Sequence, residues 1–131
     1  METEQSNRFI FIAALFGAAA VGIGAFGAHG LKNLILPERI EIFKTGVNYH
    51  FYHTFALLIT GILYQRRRLR LLNWSANCFI IGIWLFSGSL YLLATRSVLG
   101  IESWTFLGPL TPLGGIFFIV GWIMLALGAK R

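Results

Sequence analysis

Apolar residues run along this chain in four long stretches, Phe9–Ala28, Val47–Tyr64, Leu71–Ala94 and Leu113–Ala129. They do not alternate with polar residues, so the period-two pattern of a half-buried strand is missing. About 20 helical residues cross a bilayer core about 30 Å thick, and every stretch is long enough to span. In lipid a spanning backbone must satisfy its N–H and C=O groups internally, as a helix or a closed barrel. Continuous runs favour helices. The pattern predicts one all-α domain over residues 1–131, an integral membrane four-helix bundle.

The segments between and within the runs add detail. In residues 31–45, Pro37 suits a first helical turn, and Ile40, Phe43 and Val47 fall at i, i+3, i+7, one apolar stripe. This predicts a short amphipathic helix on the membrane surface, between the first two spans, with a turn inward near Gly46. The first span carries two rows of small residues, Ala14/Ala18/Gly22 and Ala20/Gly24/Ala28, which let helix backbones approach closely. Two rows predict packing on two sides and a central place in the bundle. For the fourth span, Thr111 reads as an N-cap with Pro112 in the first turn. Gly114, Gly121 and Gly128 then repeat every seven residues as a packing seam.

Composition agrees with a lipid environment: 56% of residues are hydrophobic and 12% charged, and mean hydropathy is +0.71. Soluble domains carry about 25% charged residues. The net charge of +6 is concentrated in Arg66-Arg67-Arg68-Leu69-Arg70, a loop between two spans. That placement follows the positive-inside rule and speaks for anionic lipid headgroups, not nucleic acid. With that loop inside, both termini are inside: seven basic residues (Arg8, Arg66, Arg67, Arg68, Arg70, Lys130, Arg131) then face four outside (Lys32, Arg39, Lys44, Arg96). The first run is too long for a signal-peptide core of about 7–15 residues. Trp104 and Tyr91 suit an outer aromatic belt and Trp74 an inner one. The lone Cys78 reads as a packed thiol.

Polar residues of the spans gather in the outer half: His29, Asn48, Tyr49, His50, Tyr52, His53, Ser87, Ser89 and Thr111. No Asp, Glu, Lys or Arg lies within a span, which weighs against an ion-coupled carrier. His50 and His53 share a helix face at i, i+3, and His29 ends the first span on the same side. Three imidazoles raise a zinc site or haem ligation as alternatives to plain hydrogen bonding. The free N–H groups at the start of the fourth helix, beside Gly114 and Gly115, are a candidate anion site. No nucleophile–base pair stands out, and Gly22–Gly30 lacks the strand and lysine of a nucleotide-binding loop.

Four motifs in order carry a resemblance over nearly the whole chain. They are Gly24-Ala25-Phe26-Gly27-Ala28-His29-Gly30-Leu31, Thr45-Gly46-Val47-Asn48-Tyr49 with His53, Ser87-Gly88-Ser89-Leu90-Tyr91, and Thr111-Pro112-Leu113-Gly114-Gly115 with Gly121-Trp122. Together they resemble the YgdD family, also called domain of unknown function 423, which includes the animal transmembrane protein 256. The resemblance implies a small four-helix protein of bacterial inner membranes with no established activity. His50 stands where Gln is expected in many relatives, which counts against a three-histidine metal site.

The expected function is non-enzymatic and needs no cofactor: binding of a membrane lipid or a partner membrane protein through an outer-leaflet patch of His29, Asn48, His53, Ser87 and Thr111. One alternative is an oligomeric small-solute transporter or channel, self-associating through the Gly114/Gly121/Gly128 seam. Another is a metal or haem accessory protein using His29, His50 and His53.

Overall fold

A computed structural model describes residues 2–131, all of whose regular structure is helical. The helices are α1 (Glu2–His29), α2 (Pro37–Arg67), α3 (Arg70–Gly82), α4 (Gly88–Leu99) and α5 (Leu107–Lys130), with a π-helical turn over Ile83–Ser87 joining α3 to α4. Three rods, Asn7–His29, Arg70–Leu99 and Leu107–Lys130, are long and apolar enough to cross a membrane. The polar turn Asn48–His53 dilutes α2, which does not meet that standard although the second apolar run was expected to. It nevertheless runs the length of the bundle between the others. At one end Gln5 donates to Asn73 (3.2 Å), Gln65 to Asn7 (2.9 Å) and Arg67 to the Ala129 carbonyl (2.7 Å). At the other end Arg39 donates to the Leu93 carbonyl (2.9 Å). The four rods therefore alternate up and down.

Two expectations about the middle of the chain are corrected. No separate surface helix precedes the second span, because α2 runs unbroken from Pro37 through Gly46. At about 1.5 Å per residue, its 31 residues reach about 46 Å. The stripe expected to lie on headgroups turns inward: Phe43 is buried with Leu31 and Ala94, and Val47 packs beside them. Gly46 is a contact, since a Cβ there would come within 2.9 Å of the Tyr91 ring. Helix α1 is not central either, because it packs mainly along α2, and α2 holds the middle. Its Ala14, Ala18 and Gly22 are exposed, and the buried small residues are Ala13, Ala20 and Gly27, which face α2.

The start of the fourth rod is also corrected. Helix α5 begins at Leu107, so Thr111 is no N-cap and Pro112 lies inside the helix. Pro112 is still near enough to the start that its missing N–H forfeits only the bond to the Gly108 carbonyl. The proposed anion site at Gly114 and Gly115 is therefore not at a helix end.

Helices α3 and α5 interlock through reciprocal large and small residues. Going up α5, a Cβ on Gly121 would come within 2.8 Å of the Phe79 ring, and one on Gly128 within 2.6 Å of Leu72. One on Gly114 would collide with the backbone of Phe86, and one on Gly82 would collide with Phe118 reaching back from α5. The steps of seven up α5 are matched by steps of seven down from Phe86 to Phe79 to Leu72. Ser75 adds a buried hydrogen bond to the Gly121 carbonyl (2.7 Å). The seam expected to mediate self-association is thus filled within the chain, and an oligomer cannot form through it while the bundle is intact.

The seam grades the glycines by what a methyl group would strike. Gly114→Ala meets backbone that cannot move aside and should cost about 3 kcal/mol, near the upper end of overpacking penalties. Gly121→Ala meets a ring edge and should cost about 1 kcal/mol. Gly22→Ala, with nothing within 4 Å, should gain up to about 1 kcal/mol of helix stability. Denaturant titration in mixed micelles reads all three, and equal effects at Gly114 and Gly22 would refute the seam.

Candidate functional site

The half of the bundle toward Arg39 holds His50, His53 and most of the buried polar side chains, and the π turn arranges several of them. There the Gly88 N–H bonds back to the Ile83 carbonyl, five residues earlier. The extra residue widens the helix, as π turns do, often at functional positions. It carries the Phe86 backbone onto Gly114 and points buried Ser87 at α2, where its hydroxyl donates to the Gly46 carbonyl (2.7 Å). Ser89 donates to the Phe86 carbonyl (2.9 Å) and lies 2.5 Å from the Thr111 hydroxyl. A hydroxyl has one proton, so Thr111 is the donor in that short bond. Thr54 and Thr60 bond back to the carbonyls of His50 and Ala56, each at 2.7 Å.

The histidines divide. His53 is 5% exposed and both its ring nitrogens are used. Nδ1 lies 2.8 Å from the Tyr49 carbonyl, and Nε2 lies 3.0 Å from the Trp122 indole nitrogen. A carbonyl can only accept and an indole N–H can only donate, so His53 is the neutral Nδ1–H tautomer. Phe118 stacks on the ring at 3.5 Å between centroids, within 8° of parallel. His50 turns toward α1 and α4: its Nδ1 pairs with the Tyr91 hydroxyl (2.8 Å), and its Nε2 is buried against Phe16 without a hydrogen-bond partner. His29 is exposed at the end of α1.

The structure therefore does not gather the five expected patch residues on one surface. Only His29 and Asn48 are exposed, while His53 and Ser87 are buried and Thr111 is half-buried. His29, His50 and His53 do not converge either. Among the described residues no group of three or more His, Cys, Asp and Glu could hold a metal ion, so that alternative lacks its geometry. Residues at i, i+3 diverge by about 60° around a helix, enough here to send His50 and His53 to different neighbours. Tyr91 and Trp122, their partners, are polar contributors that spacing did not reveal. Both belong to the motifs that carry the family resemblance, but nothing in their spacing pairs them with the histidines.

Among the lateral clefts of this half, two are flanked by the histidine-bearing turn of α2. One, about 140 Å³, lies between α1, α2 and α4 beside Phe16, Ile23, Trp84 and Tyr91, and the unpartnered His50 nitrogen is covered from it. The larger, about 560 Å³, lies between α2 and α5, whose backbones stay apart and meet through side chains, His53 against Phe118 and Trp122. Its walls are aromatic, with Tyr49, Tyr52, Phe86, Phe118 and Trp122 around Gly115. Tyr49 stacks on Phe86 at 4.6 Å, and Tyr52 and Trp122 are 56% and 46% exposed, so the groove is open sideways.

An antiparallel bundle with three rods long and apolar enough to cross a membrane, most of its buried polar groups bonded internally and its clefts facing outward, is the architecture of a small polytopic membrane protein. The chain belongs to the family described as Protein of unknown function (DUF423), whose model matches residues 23–115. All five expected patch residues fall inside that match. A UPF0382 membrane protein of Staphylococcus saprophyticus is 40% identical, over 94% of this chain and 97% of its own length. The UPF0382 membrane protein YwdK of Bacillus subtilis is 38% identical, over 94% of this chain and 96% of its own. The UPF0382 inner membrane protein YgdD of Escherichia coli is 38% identical, over 97% and 93%. No solved structure matches the chain.

The His53 bonds give a direct check. Nitrogen-15 NMR of the labelled imidazole should show the Nδ1–H tautomer, and an Nε2–H spectrum would contradict the geometry. Trp122→Phe leaves Nε2 buried without its donor and should cost about 1–2 kcal/mol, measured by the same micellar titration.

Proposed function

We propose that the protein is a non-enzymatic component of the bacterial inner membrane that holds a membrane lipid in the groove between α2 and α5. The carrying observation is the groove itself. It is large, walled by aromatic rings, uncovered by any part of the chain, and open to the side where acyl chains are the solvent. Aromatic walls offer broad dispersion contact to a chain, and the Tyr49 and Tyr52 rings bring hydroxyls that can meet the glycerol region. His53, Ser87 and Thr111 serve this reading by position: their bonds hold α2, the π turn and α5 at the spacing that leaves the groove. His29 and Asn48, the exposed members of the outer patch, remain available to headgroups or to a partner membrane protein.

The orientation that goes with this reading places both termini in the cytoplasm, with Arg66–Arg70 on that side. The groove then lies in the outer leaflet. Among the described residues no carboxylate or lysine is buried, so the buried groups there favour no coupling to an ion gradient.

Native mass spectrometry of protein extracted in mild detergent should show a retained lipid. Gly115 has open space beyond it, the nearest side-chain atoms being those of Phe86 at 3.9 Å, so Gly115→Leu fills the groove without straining the core. It should lower lipid occupancy several-fold at unchanged helicity, whereas unchanged occupancy would dismiss the groove. A reporter active only in the cytoplasm, fused after Arg131, should be active, and a silent one would reverse the orientation.

A further inference from the structure

A second feature, at the rim of the outer end, shares no residue with the lipid groove. Leu36 and Arg39 from the start of α2, Arg96 and Ser97 from the end of α4, and Glu102 from the α4–α5 turn line a pocket of about 430 Å³. Arg39 and Arg96 are each part-buried, and two elements more than fifty residues apart in sequence bring them to the wall of one pocket.

The charges in this pocket do not cancel. Glu102 is the only acid lining it, and among the described residues the one ion pair is Lys44 with Glu41, elsewhere on α2. Glu102 thus offsets one charge at a distance without pairing to either arginine, and the pocket keeps a net single positive charge. Arg39 spends one N–H on the Leu93 carbonyl, which fixes its plane, and the Arg96 guanidinium has no hydrogen-bond partner among the described residues. A guanidinium offers five N–H donors in a fixed fork, so most of this capacity is unspent. Arg96 at the end of α4 also complements that helix's dipole, but the dipole gives no reason for Arg39 to converge on it. Two arginines on the wall of one cavity repel each other, and an anion held between them relieves that repulsion.

We propose that the Arg39–Arg96 pocket binds a monoanionic phosphodiester at the outer membrane interface. Paired guanidinium forks match the oxygens of a tetrahedral phosphate, and a single negative charge brings the pocket to neutrality. The same chemistry is carried by an anionic phospholipid headgroup and by its water-soluble deacylated form. Ser97 supplies a further hydroxyl on the pocket wall.

The test uses the full-length protein, delipidated in a maltoside detergent, which contains no phosphate. The probes are phosphatidylglycerol, a glucosyl diacylglycerol lacking phosphate, and glycerophosphoglycerol, the soluble headgroup. Phosphatidylglycerol should bind at least tenfold more tightly than the glycolipid, and added salt should weaken it. Arg96→Gln, which breaks no bond within the fold, should weaken phosphatidylglycerol at least fivefold. Glu102→Gln should tighten it, an opposite sign that misfolding cannot produce. Gly115→Leu should leave the preference intact, which separates this pocket from the groove. Glycerophosphoglycerol competing at comparable affinity supports a site for the phosphodiester from a soluble source, and binding of the lipid alone supports the headgroup. Equal affinity for the glycolipid, or no response to both Arg96→Gln and Glu102→Gln, overturns the proposal.

Discussion

The approach of Gly114 to the backbone of Phe86 is the contact on which the bundle turns. Helices in lipid gain little from leaving it, because acyl chains are as apolar as leucine. Their association rests on dispersion, which falls away within an ångström of lost contact, and on hydrogen bonds made between rods. Where the two backbones meet, α5 and the α3–α4 rod come close enough for both. Above that point Thr111 reaches Ser89, and below it Ser75 reaches the Gly121 carbonyl. Phe118 and Phe79 fill the spaces opposite Gly82 and Gly121, so each rod supplies both the bulk and the room.

The polar side chains around the π turn are accordingly more cement than bait. Ser87, Ser89, Thr111, His53 and the Tyr91 hydroxyl are each committed to a partner on another element or on the neighbouring turn. Each bond is worth only about 1 kcal/mol net, but leaving one unmade in lipid costs more, which selects one register over its alternatives. What the bundle offers its surroundings is the remainder: an aromatic groove between α2 and α5, and two arginines at the rim that share a pocket with one acid.

Much of the architecture could be read from the residues. The apolar runs gave the all-α fold and its rods, and the seven-residue repeat of Gly114, Gly121 and Gly128 identified a packing face. That repeat could not say which helix lay opposite, because Phe79 and Phe86 look like any apolar residue until the antiparallel register is known. Gly46 misled as a turn, since a glycine in a helix carries the same letter whether it breaks the chain or admits a neighbour's tyrosine. Thr111 and Pro112 misled together: Pro109 and Pro112 are both tolerable early in a helix, and the earlier one prevailed. The site was less legible than the fold. His53 and Ser87 were singled out for their polarity, yet polarity within a span marks a bond without naming its partner, and both partners lie on other helices. Arg39 and Arg96 were counted only as charge, since nothing local announces that positions so far apart share a pocket.

The π turn leaves the α3–α4 rod with two faces serving two masters. α3 leans mainly on α5, and α4 mainly on α2. One extra residue between them supplies the rotation, about 100° for each residue of helix. A gene that lost a single codon between Ile83 and Ser87 would still encode a hydrophobic span of ample length. It would present α4 in the phase of α3, with Ser87 and Tyr91 swung away from Gly46 and His50. In this rod the reading of length and hydropathy would be blind to the damage, and lineages of the family should tolerate exchanges of residues there far more readily than changes in their number.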